Sequence, residues 1–286
     1  MNKQESPPTV IAKNCISCGT ALSGNYCPHC GEKQLIPSRD YSLIKFIEQA
    51  VDGITHFDSK FLKSFWWLFT KPGFLTSEFI IGRRSLYTKP VQLFVVAGIL
   101  FYFVFPVTSS FFASVSDMKA GYDSAFSTAN VFQYDINSYL IQKAKLKNIS
   151  TQQLTNETEK EASHKSKVYL FLILPFWGAI IYALFRKSIS YYVPHLVFAV
   201  HSFTFFILLD LIFIGSFVAF GFLTIADAQI YFLLLIFLVY LFIAVRKVYH
   251  INWFASVVGS LFVFLGFIIL MVIYRQAITI WALYSV

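Results

Sequence analysis

Long apolar stretches follow one another over most of the chain, after a polar first forty residues. Five of them are long and apolar enough to cross a hydrocarbon core of roughly 30 Å as helices. They cover residues 91–112, 168–185, 194–221, 230–245 and 253–273. The pattern therefore predicts an all-α membrane protein with about five transmembrane helices, its membrane domain covering residues 91–286.

A different pattern precedes the first span. Residues 41–70 repeat apolar positions at intervals of three and four, with charged residues on the other side. This predicts an amphipathic interfacial helix, with Trp66 and Trp67 at headgroup depth. After a turn at Pro72-Gly73, residues 71–90 are predicted to form a short surface helix carrying Glu78, followed by a basic segment that leads into the membrane.

The only sizeable polar interruption lies between the first and second spans. Residues 113–167 are expected to be external, with moderate helical character over residues 130–147. Residues 148–165 are rich in Thr, Ser, Gln and Glu and are typical of a loose linker.

Composition and charge agree with a membrane location and orient the spans. Apolar residues make up 57% of the chain and charged residues 13%, unlike an ordinary soluble domain. Arg186-Lys187 and Arg246-Lys247 lie in two loops, whereas the loop over residues 222–229 between them has no Lys or Arg. The positive-inside rule then predicts a cytoplasmic amino terminus and an external carboxyl terminus. No cleavable signal peptide is expected before the spans.

The four cysteines form one motif, Cys-x2-Cys-x8-Cys-x2-Cys, in which a glycine follows each pair. Two such turns supply four sulfur ligands, which predicts a zinc ribbon over residues 13–34 with one structural Zn²⁺ per chain. The ligands are Cys15, Cys18, Cys27 and Cys30. The alternatives are two disulfides or a redox Cys-x2-Cys pair, but a reducing cytoplasm favours metal. Residues 1–12 are expected to be disordered.

The net charge of +8 lies mainly beside the spans, so a nucleic-acid partner is not expected. Arg83, Arg84 and Lys89 gather just before the first span and are candidates for contact with anionic lipid headgroups. The alternative is that they are ordinary positive-inside anchors.

Polar groups at membrane depth are costly and therefore informative. His201 and Asp210 lie in the third predicted span, on nearly opposite helix faces, and Arg275 lies at the end of the fifth. Both His201 and Asp210 are expected to point into the bundle, and Asp210 to pair with Arg275 or with another polar group. His195 is expected at the membrane surface.

Three stretches resemble a known family. The second cysteine turn (Tyr-Cys-Pro-x-Cys-Gly), the Lys71–Pro90 stretch and the Tyr192–Phe203 stretch look like an uncharacterised family of multipass membrane proteins common in the Bacteroidota. The resemblance implies an amino-terminal zinc ribbon joined to a domain of unknown function, in a bacterial inner membrane. It implies no activity.

No hydrolase, kinase or dinucleotide motif is present, so an enzyme is not expected. The favoured interpretation is an interaction or regulatory module that recruits a protein partner to the membrane through its cytosolic zinc ribbon. The alternative is a transporter or channel with a polar path that involves His201 and Asp210.

Overall fold

The computed structural model describes residues 14–53, 60–104, 136–219 and 227–286, and the predicted amino-terminal disorder lies outside them. The helical class is confirmed: within these residues the only extended pairing is two isolated β-bridges near the cysteines. The helices are α1 Pro37–Asp40, α2 Leu43–Gly53, α3 Lys60–Thr70, α4 Phe74–Ile81, α5 Pro90–Val104, α6 Ile136–Lys147, α7 Thr151–Tyr169, α8 Ile173–Phe185, α9 Tyr192–Ala219, α10 Asp227–Tyr249 and α11 Trp253–Ser285.

Three described helices are long and apolar enough to cross a membrane. They are the stretches Tyr192–Phe213, Tyr231–Tyr249 and Trp253–Ser285. A fourth span results if α7 and α8, which meet at a bend of 53°, count as one. The first predicted span contains an apolar helix, Pro90–Phe101 among the described residues, that is shorter than those three helices. The described residues thus support three to four spans, and the count of five stays a prediction.

The second predicted span is not one straight helix. A 3₁₀ turn over Leu170–Leu172 separates α7 from α8. Pro175 lies in the first turn of α8 and has no N–H to donate to the carbonyl of Phe171. The missing donor is a physical reason for the bend at this point.

One compact unit comprises Met1–Phe101 and Trp177–Leu265. Helix α9 lies at its centre. In the most apolar stretch of α9, 78% of the residues are buried, compared with 39% in α10 and 28% in α11. A helix that is apolar on every side belongs inside a bundle, and α9 has this pattern. Fully buried rings meet around it: Trp177 lies 6.4 Å from Phe203 and 6.1 Å from Phe237, measured between ring centroids.

Helix α4 packs inside this unit, against α3, α9 and α10. The prediction that it lies on the surface is wrong, since Leu75, Thr76, Glu78 and Phe79 are all buried. Gly73 begins the helix with φ of 76° and approaches α10 so closely that a Cβ there would lie 2.8 Å from the Ala244 carbonyl oxygen. Only a glycine combines this backbone angle with this distance.

The predicted amphipathic region forms two helices, α2 and α3, and the residues between them lie outside the described part. Helix α2 exposes Leu43, Ile44 and Ile47 and buries Phe46. Helix α3 exposes Leu62 and Trp66 and buries Ser64 and Leu68. Both helices thus turn apolar side chains outward, and their location at the membrane interface stays a prediction.

A second compact unit comprises Tyr102–Phe176 and Gly266–Val286. The interpretation of residues 148–165 as a loose linker is wrong, because α7 covers most of them. The helix starts at Ser150, whose hydroxyl accepts a hydrogen bond from the Gln153 amide at 3.0 Å. Its apolar side packs on the end of α11, where Ala162 meets Ile278 and Ala282, while Leu154 meets α6 and Leu283.

The close approach of Gly73 to α10 gives a direct stability prediction. Gly73→Ala should destabilise the protein by roughly 2–4 kcal/mol, through a strained positive φ and overpacking against Ala244. Thermal unfolding in detergent measures the effect. Gly98→Ala is the matched control, because Gly98 lies within α5 and a methyl group added there would meet open space. Equal stability of the two variants would contradict the packing described here.

Candidate metal centre and its docking contacts

The four cysteine sulfurs form one cluster. All of them lie within 4.8 Å of one another, with Cys15 Sγ 3.6 Å from Cys30 Sγ and Cys18 Sγ 3.5 Å from Cys27 Sγ. None of the four is in a disulfide. Sulfurs that share one tetrahedral zinc at about 2.3 Å lie about 3.8 Å apart, so the donor set and its size fit a tetrahedral metal ion.

Each cysteine pair sits on the same backbone turn. The amide of Gly19 bonds to the carbonyl of Cys15 at 2.9 Å, and the amide of Gly31 bonds to that of Cys27 at 3.0 Å. Both glycines have positive φ, 77° and 71°, which a side chain would strain. One isolated β-bridge closes each turn. We refer to residues 14–35 as the cysteine module.

The thiols differ in acidity. Hydrogen bonding by the Thr20 hydroxyl, and then by its backbone, lowers the pKa of Cys18 to about 5. The backbone of Glu32 lowers the pKa of Cys30, but burial and the neighbouring sulfurs outweigh it and raise that pKa to about 12. Four adjacent thiolates repel one another, so full ionisation needs a cation among them. The cluster could therefore bind a metal ion and would release protons as it does so.

Glu32, directly after the second turn, fastens the module to the rest of the chain. Its side chain is 4% exposed and accepts a hydrogen bond from the Ser17 hydroxyl at 2.8 Å. It also accepts bonds from the Ser85 amide at 3.0 Å and the Ser85 hydroxyl at 2.8 Å. A buried carboxylate needs such donors to offset its desolvation. Glu32 therefore joins both cysteine turns to residues 82–90, which we call the junction segment.

Arg83 makes a second connection. Its Nε donates to the carbonyl of Ile16, between the first two cysteines, at 3.1 Å. Its Nη1 lies 3.4 Å from a carboxylate oxygen of the buried Glu78 on α4. The hydroxyl of Tyr87 donates to the same carboxylate at 3.3 Å, and burial raises the pKa of Tyr87 to about 12. One arginine thus bridges the cysteine module and α4.

The residues that follow the cysteine module contact α4 directly. The Tyr41 hydroxyl donates to the carbonyl of Ile80 at 2.8 Å, and the Arg84 guanidinium lies 3.9 Å from the Phe79 ring centroid. Burial lowers the pKa of Arg84, while Tyr41 and Asp40 favour its charged form. The two direct connections, through Glu32 and Arg83, dock the cysteine module on the junction segment, and Tyr41 fastens the residues after the module to α4.

The predicted lipid-contacting residues divide into two kinds. Arg83 and Arg84 make the protein contacts described above, whereas Lys89 is exposed. Their contact with anionic headgroups stays a prediction.

Within the membrane helices, His201 has a polar partner that sequence reasoning missed. Its Nδ1 lies 2.9 Å from the hydroxyl oxygen of Thr76 on α4, and both side chains are buried. The gap beside them, lined by Lys71, Gly73 and Tyr240 among others, has no space for a water molecule. His201 is thus part of the contact that holds α4 against α9.

Asp210 and Arg275 lie in different compact units, and their predicted pairing stays a prediction. The Oδ2 atom of Asp210 is buried and has no hydrogen-bond partner among the described residues. Arg275 has interactions of its own, and its carbonyl accepts a bond from the Thr279 hydroxyl.

His195 is fully buried among protein side chains near the start of α9, and its expected position at the membrane surface stays a prediction. Its Nε2 lies 3.0 Å from the carbonyl of Ile189, which can only accept, so the proton is on Nε2. Nδ1 therefore accepts from the Tyr249 hydroxyl at 2.9 Å. The partner lies 54 residues later in sequence, and no local pattern indicated it.

Comparison with known proteins assigns no activity. The model of a family described as "Protein of unknown function (DUF3667)" matches residues 58–102, which include α3, α4, the junction segment and most of α5. No curated protein and no solved structure matches the chain. The match agrees with the resemblance of Lys71–Pro90 to a family of unknown function, while a bacterial source stays a prediction.

The Thr76–His201 contact can be tested by a mutant cycle. Thr76→Val should lower the free energy of unfolding by about 1–3 kcal/mol, because it leaves a buried histidine nitrogen without its hydrogen-bond partner. When His201 is already replaced by Phe, Thr76→Val should lower the free energy of unfolding by clearly less, as measured by thermal unfolding. Thr70→Val is the control, since the exposed Thr70 hydroxyl bonds only within its own helix. Additive costs would mean that the two groups do not interact.

Proposed function

We propose that this integral membrane protein is an interaction and regulatory module, in which a zinc-loaded cysteine module presents a partner surface beside the bilayer. The observation that carries the proposal is the buried Glu32 carboxylate, which bonds both to the first cysteine turn and to Ser85. Because Glu32 makes both sets of hydrogen bonds, a metal ion that orders the cysteine turns also orders the junction segment, which leads into α5.

Zinc in a ribbon-like site is the proposed occupant of the cluster. A tetrahedral all-sulfur site favours zinc or iron, and zinc suits a closed structural site because it has no redox chemistry. The proposed arrangement places the cysteine module in the cytoplasm of a bacterial cell and the carboxyl terminus outside the inner membrane. A reducing cytoplasm keeps the four thiols available for metal.

The outward face of the cysteine module supports a partner-binding role. Ile16 is 48% exposed and Tyr26 is 61% exposed, although both belong to the small turns that hold the cysteines. Exposed aromatic and aliphatic side chains on a rigid support are suited to bind a protein, because little side-chain entropy is lost. The partner is proposed to be a protein that covers these exposed apolar side chains.

Metal content and backbone protection test the metal-dependent part of the proposal. Freshly purified, reduced protein should contain one zinc per chain, and Cys27→Ser should lose it while the helices remain inserted. Hydrogen exchange at the Ser85 amide should then accelerate, because its acceptor Glu32 is no longer held. Glu32→Ala should accelerate the same amide while zinc is retained. Slow exchange at Ser85 in Cys27→Ser would contradict the coupling between metal and junction segment.

Photocrosslinking in native membranes tests the partner surface. A benzophenone amino acid in place of Tyr26 should give an adduct of defined mass, and Cys27→Ser should abolish it because the turn is unfolded. The control replaces Leu146, which is 82% exposed on α6. The adduct should be specific to Tyr26; its persistence in Cys27→Ser, or the same adduct from Leu146, would refute recruitment through the cysteine module.

A transporter or channel is the second candidate, favoured by the buried Oδ2 of Asp210, which has no hydrogen-bond partner within the described part of the chain. An intramembrane carboxylate in this state is a common element of ion pathways. Solute or proton flux in liposomes that Asp210→Asn abolishes, without loss of thermal stability, would support this function over recruitment.

A further inference from the structure

Four basic side chains lie at the ends of two membrane helices. Arg186 and Lys187 follow the last residue of α8, and Arg246 and Lys247 lie in the last turn of α10. All four are exposed, and none of them forms a salt bridge within the described residues. Their charge is therefore available to a ligand.

Close packing brings the two basic pairs together. The Phe185 and Tyr249 rings are stacked, with centroids 4.1 Å apart. A Cβ on Gly259 of α11 would lie 2.8 Å from Phe185 Cζ and 3.8 Å from Val245 Cγ1. Since Phe185 and Val245 approach the same glycine, the ends of α8 and α10 that carry Arg186 and Arg246 lie close together.

His195 holds both basic pairs in place. It accepts a hydrogen bond from Tyr249, two residues after Lys247, and donates to the carbonyl of Ile189, two residues after Lys187. Its ring also stacks on Tyr249 at 5.5 Å. One fully buried side chain thus orients both helix ends, so that ligand binding costs little backbone entropy.

Among the described residues, no acidic side chain forms a salt bridge with these four cations. Residues 162–286 contain two acids, Asp210 and Asp227. Asp210 lies fifteen residues further along α9 than His195, and Asp227 begins α10 at the end opposite to Arg246. Tyr41 contacts Tyr191 in the α8–α9 loop, and the neighbouring Asp40 is already bonded to Lys33 at 2.7 Å.

Exposed aromatic side chains stand next to the cations. Trp253 and Phe254, 61% and 71% exposed, begin α11 just after the α10 end. Aromatic residues at this position are typical of headgroup depth in a bilayer. A soluble anion would leave this apolar surface in water, whereas a phospholipid would satisfy both the cations and the rings.

We propose that the ends of α8 and α10, with the start of α11, bind the headgroup of an anionic phospholipid. Arg186 and Arg246 contact its phosphate, Lys187 and Lys247 add to the attraction, and Trp253 packs against its acyl chains. The site differs from Arg83, Arg84 and Lys89, and it requires neither a metal in the cysteine module nor a protein partner.

Lipid-dependent quenching of Trp253 tests the proposal with the full chain in phosphatidylcholine vesicles. Brominated phosphatidylglycerol should quench Trp253 at a lower mole fraction than brominated phosphatidylcholine does. The Trp253 signal is the difference between the protein and its Trp253→Phe variant. Replacing both arginines, as R186A/R246A, should reduce the preference for phosphatidylglycerol roughly tenfold or more, since each cation near a membrane surface contributes substantially.

Two control variants make the result decisive. R186K/R246K keeps the charge and should retain most of the preference, which distinguishes lost binding from lost folding. K145A/K147A removes two exposed lysines of α6 and should leave the preference unchanged. Equal quenching by the two lipids, or an unchanged preference in R186A/R246A that melts like the parent protein, would overturn the proposal.

Discussion

The contact between the Gly73 backbone and Ala244 is the constraint on which most of the described structure depends. It lets α4 approach α10 at a distance that no side chain would permit. From that position Thr76 reaches His201, and Glu78 is buried where Arg83 and Tyr87 can bond to it. Arg83 in turn reaches the cysteine module. A short helix packed among long apolar helices thereby fixes the position of the cysteine module.

The features that follow a local pattern could be predicted from the sequence. The four cysteines converge because each pair lies on one turn whose glycine tolerates positive φ, and both the spacing and the glycines are visible in the sequence. The long apolar helices that could cross a membrane follow from apolar length alone, apart from their number. At Pro175 the loss of one backbone donor interrupts a run of apolar residues that otherwise predicts a straight helix.

The features that depend on distant residues could not be predicted in this way. Glu32 and Ser85 are 53 residues apart, and nothing in either local sequence indicates the other. The burial of His195 is equally hidden, because its acceptor and donor, Ile189 and Tyr249, come together only in the packed bundle. Two errors had available signals. The polar residues of α4, Thr76, Ser77 and Glu78, are consecutive and so form no single polar face, as expected of a buried helix, and Ser150 with Gln153 has the spacing of a capping box.

The distance in sequence between Gly73 and Ala244 has a consequence for the order of events during synthesis. Ala244 is made 171 residues after Gly73, which at 5–20 residues per second is about 10–30 s later. Throughout that interval α4 exists without the α10 surface that it packs against. Its apolar residues therefore lack their partner surface until α10 is made, whereas the four cysteines, the last of which precedes Gly73 by 43 residues, could already bind a metal ion.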